Sequence, residues 1–260
     1  MTAHEALSEG RLTEAIDRQR ETVAASPTDP AAQLFLAELL LLAGEFVLAR
    51  QVLAAIETPA EDWPQARRRF RQLIRAEVRR SLQSRRPKVL APPPSHLRRR
   101  WRALKHLLAG DGDSARKTFD GADSASPWMV GHIDGREFEG LRDTDDRYAS
   151  VFEVFLGPDY YWIPFDMIRV IRFAPMVGAI DQAYRGVMIR LHDGTEMAGM
   201  TPLIYPGSFD GDGAFAAGLD TDWPEVPGGV VCGIGRKIWM IGDDELPVGE
   251  FTQLELRQGT

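Results

Sequence analysis

A single cysteine, Cys232, stands among the 260 residues, so no internal disulfide can staple the chain, and no Cys-x-x-C pair or Cys/His cluster offers a zinc site. Long apolar runs are missing too. The longest, Leu34 to Ala43, is interrupted by Glu38 and reaches about half of the roughly 20 residues a bilayer span requires. The opening MTAHEALSEG has neither a basic n-region nor an apolar h-region, which makes the cytoplasm the expected location. Catalytic signatures are equally scarce. No G-x-x-x-x-G-K-[ST] loop is present for nucleotide phosphates, and Gly233-Ile234-Gly235 lacks the third glycine and following helix of a dinucleotide site. Asp210-Gly211-Asp212-Gly213 lacks the third acid and terminal Glu of a calcium loop and reads as a solvated turn. The 5 histidines never fall in H-E-x-x-H or Cys/His spacing. No catalytic residue, metal or cofactor is assigned, and binding becomes the leading class of function.

What is present suffices for a packed core: 44% hydrophobic and 27% charged residues exclude a disordered or fibrous chain. A length of 260 residues lies where one core usually gives way to two, so two domains are expected. The first carries a repeat. At an offset of 34 residues Ala3, Leu7, Gly10, Leu12 and Ala15 stand opposite Ala37, Leu41, Gly44, Phe46 and Ala49. That is the tetratricopeptide period, in which small residues let paired helices approach and a glycine turns the chain between them. A third copy, Ala103, Leu107, Gly110, Ala115 and Pro127, matches Ala3, Leu7, Gly10, Ala15 and Pro27. Between the copies lie a helix from Pro64 to about Ser84, with Phe70, Leu73, Ile74, Val78 and Leu82 as its apolar stripe, and a proline-rich stretch, Pro87 to Ser95. Residues 1–125 are therefore read as an interrupted tetratricopeptide-like helical domain. The segment LFLAELLLLA is apolar nearly all round. Either flanking repeats cover it, or it forms a groove for an amphipathic helix, with Leu34 and Leu41 as candidate contacts.

Charge is unevenly placed. Residues 67–105 hold 15 Lys and Arg against one acid, Glu77, and so carry +14, while the rest of the chain carries −21. Such a block is read as solvated helix faces, as pairing with the acidic second half, or as contacts to an acidic partner, with Arg71 and Arg75 as candidates. Phosphate binding is the alternative, but no stacking-aromatic module or helix-turn-helix spacing accompanies the block.

From about Ser126 the pattern becomes short and strand-like, so residues 126–260 are read as a β-rich domain, a small barrel or packed sheets, giving an α+β chain. Val151–Leu156 and Tyr160–Pro164 are predicted to form a hairpin through Gly157-Pro158-Asp159, and His192-Asp193-Gly194 to turn between two further strands. Arg169–Phe173, Gly186–Leu191, Glu196–Met200, Val230–Ile234 and Ile238–Ile241 are the remaining strand candidates. The run Tyr160, Tyr161, Trp162 is either a peptide-binding face or core, and Tyr205 in the turn Tyr205-Pro206-Gly207-Ser208 serves either shape or contact. A hydrolase using His132, Asp134 and Ser208 is the alternative of a different class, and it requires those three to share a deep pocket.

Five segments together carry a resemblance: Leu7-x-x-Gly10-Arg11-Leu12-x-Glu14-Ala15, Ile74-Arg75-Ala76-Glu77, Ile133-Asp134-Gly135, YYWIPFDMIRVI from Tyr160 to Ile171, and TPLIYPGS from Thr201 to Ser208. The chain resembles the ImpE/SciE/TagJ family of type VI secretion accessory proteins over most of its length. The resemblance implies a cytoplasmic, non-catalytic adaptor whose helical part engages the N-terminal helix of the small sheath subunit TssB and links the sheath to the recycling ATPase ClpV. It carries no catalytic residues over, and it is weakest at Pro87 to Ser95 and after Pro247.

Overall fold

The computed structural model describes residues 1–83, 85–211 and 213–259. Among them, seven helices precede the first strand: α1 (Ala3–Ser8), α2 (Leu12–Ala25), α3 (Pro30–Leu42), α4 (Phe46–Ala55), α5 (Trp63–Ser81), α6 (Ser95–Leu108) and α7 (Gly112–Asp123). Asp29 caps α3 by accepting from the Ala31 N–H, with Pro30 opening the helix. The three repeat copies end their first helices identically. Gly10, Gly44 and Gly110 have φ of 76°, 72° and 78°, and the next residue donates back across the turn, Arg11 to Ala6, Glu45 to Leu40 and Asp111 to His106, at 2.9, 2.8 and 2.9 Å. This left-handed cap satisfies carbonyls that a helix end leaves open. The alanines of the pattern, Ala37, Ala49, Ala103 and Ala115, are fully buried where the paired helices meet.

The strands are β1 (Met129–Ile133), β2 (Arg136–Glu139), β3 (Leu141–Asp143), β4 (Val151–Leu156), β5 (Asp159–Pro164), β6 (Ile168–Phe173), β7 (Tyr184–Leu191), β8 (Glu196–Pro202), β9 (Thr221–Asp222), β10 (Ile234–Gly235), β11 (Ile238–Ile241), β12 (Asp244–Pro247) and β13 (Gln253–Gln258), with a short α8 (Gly213–Ala216) after β8. Eight strands make one open sheet in the order β2-β1-β13-β6-β7-β8-β4-β5, and β12-β11-β3 make a second. Packed sheets are thus the form that the β-rich half takes. Asp134 and Gly135 both have positive φ, 45° and 84°, and close β1 onto β2 with Ile133 opposite Arg136, a two-residue hairpin. Gly157-Pro158 does the same between Leu156 and Asp159.

Period-2 geometry gives β4 two apolar faces. Val151 and Phe155 belong to the core shared with the helices, whereas Phe152 and Val154 join Trp239, Ile241 and Phe251 against the smaller sheet. The large sheet is therefore a middle layer. Helices change to strands between Asp123 and Met129, but the core does not divide there: Leu39, Leu41, Ala76 and Leu104 share one cluster with Tyr148, Trp162, Tyr184, Ile204 and Ala216. The over-apolar α3 is covered by its own chain, including Ile180 and Ala216.

Two expected elements differ. Val230–Ile234 does not form a strand as a unit, because the N–H groups of Val231 and Gly233 are taken by the carboxylates of Asp146 and Asp145, at 2.8 and 2.7 Å. On α5 the inward stripe includes Glu77 and Arg80, while Val78 and Leu82 are exposed. The expected helix end at Ser84 and Asp212 of the solvated turn lie outside the described residues.

Candidate interaction site

The seat of α5 on the sheet is ionic. Glu77 and Arg80, three apart and so on one face, bury their charges completely, with Arg80 Nε 2.9 Å from Glu153 Oε1 on β4 and Nη1 3.2 Å from Glu77. Arg80 also donates to the Ile204 carbonyl at 2.6 Å. Lys237 lies 2.5 Å from Glu153 and 3.2 Å from Asp143, with its ammonium 4.2 Å from the centre of the Tyr148 ring. Tyr160 donates to Glu153, and the Trp162 indole donates to Tyr160. Tyr205 donates to Asp143 at 2.7 Å and accepts from the Ile238 N–H at 3.1 Å. Burial alone pushes the Glu153 carboxyl up, but Arg80 and Lys237 outweigh it and bring it to about 2. Glu77 stays above its ordinary value because burial outweighs Arg80. Every member is paired and closed to solvent, so this network fixes α5 in place.

Beside that seat a groove of about 530 Å³ opens between α5 and the sheet. Ala66, Arg69, Phe70 and Leu73 form the helical wall, and Gly186, Ala198 and Gly199 on β7 and β8 line the other side. Gly186 and Gly199 serve packing within the chain, because a Cβ on them would meet Ala174 at 3.2 Å and the Phe155 carbonyl at 2.6 Å. β4 bridges β8 only at Phe155 and Met200, which leaves Glu196–Ala198 without a paired strand on that side. The third wall is the segment 174–182, which contributes Val177, Ile180 and Asp181. Its tip is apolar and bare: Val177 is 93% exposed and Met176 51%.

Glu38 of α3 holds that wall. Its carboxylate accepts from the Ala179 N–H at 3.2 Å, and a Cβ on Gly178 would lie only 2.7 Å from its Oε1. Asp181 takes the N–H groups of Val177 and Gly178 at 2.7 and 3.0 Å. Burial, helped by the charge of Asp181, raises the Glu38 carboxyl to about 7 against the donated N–H of Ala179. Outside the groove Arg67, Arg68, Arg71 and Arg75 of α5 have no ion-pair partner among the described residues. An apolar trough with a cationic lip suits an amphipathic segment that carries acids along one flank.

The structure separates the sequence-predicted contacts. Leu41, Tyr160, Trp162 and Tyr205 are buried in the core shared by helices and sheet, so none of these four offers a surface to a partner. Their polar atoms are consumed internally, as the network above requires. Leu34 and Tyr161 are half-buried, Leu34 against the helical core and Tyr161 against the sheet core. Arg71 and Arg75 are exposed and do not line the groove. Much of the arginine block is answered within the chain: Arg79 and Lys88 meet Asp159, and the buried Arg100 meets Asp123. The residues proposed for a hydrolase do not converge. Ser208 is buried, donating to the Tyr205 carbonyl and accepting from the Gly235 N–H at 2.6 and 2.7 Å; Asp134 holds Thr252 and Gln253; His132 faces Glu137. Sequence reasoning passed over Glu153 and Lys237. The signal was there: Glu153 is a lone acid inside VFEVFL, and Glu77 a lone acid inside the basic block.

Comparison with known proteins follows the two halves. Residues 6–76 match the tetratricopeptide repeat model, and residues 135–255 match the model described as ImpE protein. The type VI secretion system accessory component TagJ of Pseudomonas aeruginosa is 26% identical over 259 residues, covering 98% of this chain and 91% of its own. The crystal structure of protein VPA1032 from Vibrio parahaemolyticus has the same fold, with a TM-score of 0.87 at 21% identity over 99% of this chain and 98% of that one. No helix among the described residues is long and apolar enough to cross a membrane. Residues 135–255 thus carry the match to the ImpE family model, and the similarity to TagJ runs through both halves of the chain.

Proposed function

We propose that this protein is a non-catalytic, cytoplasmic accessory component of a type VI secretion system. It acts as an adaptor that binds the amphipathic N-terminal helix of the small sheath subunit TssB and links the sheath to the ATPase ClpV. The observation that carries the proposal is the similarity to TagJ across 98% of the chain. The groove between α5 and β8 supports it, being the described cavity with room for several apolar side chains, and it is where we place the TssB helix. Leu34, Tyr161, Arg71 and Arg75 then stand outside the primary contact, with the two arginines steering an acidic partner on approach.

Calorimetry of the whole chain against a synthetic N-terminal TssB peptide tests this. Binding is expected to weaken only modestly with salt, because buried apolar anchors contribute roughly 1.5 to 3 kcal/mol each while exposed ion pairs contribute about 0 to 1. Ala198→Trp fills the groove from an exposed position and is expected to weaken binding at least about tenfold. Full affinity in that variant moves the site elsewhere, and no binding by the native chain removes TssB as the partner. If instead the chain binds duplex DNA with a steep salt dependence, the arginine block is a phosphate-binding surface.

A further inference from the structure

A second cavity, of about 190 Å³, lies where α6, the end of α7, β3 and the turn after β5 meet, and shares no lining residue with the proposed docking groove. It is small, comparable with cavities that hold a single ring or a short chain of heavy atoms. Its walls combine apolar and polar groups. Phe165 and Trp128 form the aromatic part, and Trp128 stands at the lip, 62% exposed.

The polar part has unspent hydrogen-bonding capacity. His96 is 3% exposed, and its Nε2 has no hydrogen-bond partner. Asp166 Oδ1 is 3.3 Å from that nitrogen, within reach but not aligned with it, and the Asp166 carboxylate meets no other cation among the described residues. Ser150 Oγ accepts from Arg100 Nε at 3.1 Å and shares a hydrogen bond of 3.5 Å with His96 Nδ1, which leaves one of its three hydrogen-bonding positions unspent. The positive charges nearby are already committed. Arg142, which lines the wall, is 2.9 Å from Asp146 and 3.8 Å from Asp123, and Arg100 is also on Asp123. What stays open is the Asp166 carboxylate and one position on the Ser150 hydroxyl, beside an exposed indole.

We propose that this cavity binds an alkylammonium group. An ammonium has three donors and no acceptor, so it can donate to Asp166 and to a free lone pair of Ser150 when that hydroxyl donates to His96 Nδ1, and its charge is attracted to the face of an indole. Three or four methylenes would occupy the space between Phe165 and Trp128. A lysine side chain of a protein partner and a free aliphatic diamine share this chemistry.

The test uses the whole chain and follows the ring signals of His96 and Trp128 by NMR during titration with n-butylammonium, with Nα-acetyl-lysine amide, with 1,4-diaminobutane and with n-butanol. Saturable shifts with the three ammonium compounds, and none with butanol, are expected. Tighter binding of the lysine derivative identifies a protein side chain as the source, and tighter binding of the diamine identifies a free amine. Asp166→Asn is expected to weaken binding about tenfold or more, the scale of a charge-assisted hydrogen bond. Trp128→Ala, at an exposed position that a stable fold tolerates, is expected to weaken it severalfold and keeps the test open if Asp166→Asn unfolds. Equal shifts with butanol, unchanged affinity in a folded Asp166→Asn variant, or no saturation below ~100 mM of any ammonium compound overturns the proposal.

Discussion

At the scale of single residues, most of the charge in this protein that matters for stability is hidden. Arg80 stands between Glu77 and Glu153 with no solvent contact, so Arg80→Met is expected to cost about 3 to 5 kcal/mol, since it leaves carboxylates buried without their cation. Urea unfolding checks this, and a loss under about 1 kcal/mol would show that the network relaxes around the gap. Glu153 and Glu38 respond to pH in opposite senses. Glu153, lowered to about 2, contributes stability that is present above its unfolded value of 4.5 and is lost as pH falls toward 2. Glu38, raised from 4.5 to about 7, favours the folded state when protonated. Its contribution is complete below 4.5 and is lost as pH rises through about 7. The stability of the native chain relative to Glu38→Gln should therefore decline between pH 5 and pH 8. A difference that stays flat or rises would mean that burial does not outweigh the donated Ala179 N–H at the Glu38 carboxylate.

At the scale of elements, the repeat was legible because its grammar is local. A helix followed by a left-handed cap needs only a glycine at the right place, and the three copies present Gly10, Gly44 and Gly110 in one conformation. Their surroundings differ, and this grades the cost of a methyl group. A Cβ added at Gly110 would meet open space, one at Gly44 would lie 3.0 Å from the Phe209 side chain, and one at Gly10 would lie 2.9 Å from the Ala214 Cβ and 3.1 Å from its Cα. Gly110→Ala is expected to lose about 1 to 2 kcal/mol from conformation alone, with Gly44→Ala larger and Gly10→Ala the largest. Melting temperatures that reverse this order would contradict the packing of the two caps. Strands with period-2 alternation and tight turns were legible for the same reason. Val230–Ile234 was not, because whether Val231 and Gly233 bond to a neighbouring strand or to Asp145 and Asp146 depends on residues about 86 positions away. Tyr160, Trp162 and Tyr205 were ambiguous on the same ground: an aromatic run has the same sequence in a core as on a surface, and only the position of Glu153 and Asp143 beneath their polar atoms decides. The groove was invisible beforehand, since Gly186, Ala198 and Gly199 form a wall only once α5 is seated opposite them.

At the scale of the whole molecule, the division into helical and β-rich halves describes the secondary structure better than it describes the packing. Leu39, Leu41, Ala76 and Leu104 complete their burial against Tyr148, Trp162, Ile204 and Ala216. A fragment of residues 1–125 is thus expected to expose a broad apolar face, to bind a hydrophobic dye and to lack a cooperative melting transition, whereas the full chain melts cooperatively. Cooperative unfolding of that fragment at native-like temperature would show the helical half to be autonomous. The position of β13 has a different consequence. This strand lies between β1 and β6 in the middle of the large sheet, yet every other strand precedes it in the chain. On the ribosome, β1 and β6 emerge with their facing edges unfilled, and no amount of time lets them pair correctly until residues 253–258 have cleared the exit tunnel. The large sheet therefore cannot be completed before that strand emerges, and a nascent chain stalled even a few codons short of it presents two open sheet edges to the chaperones and proteases waiting outside.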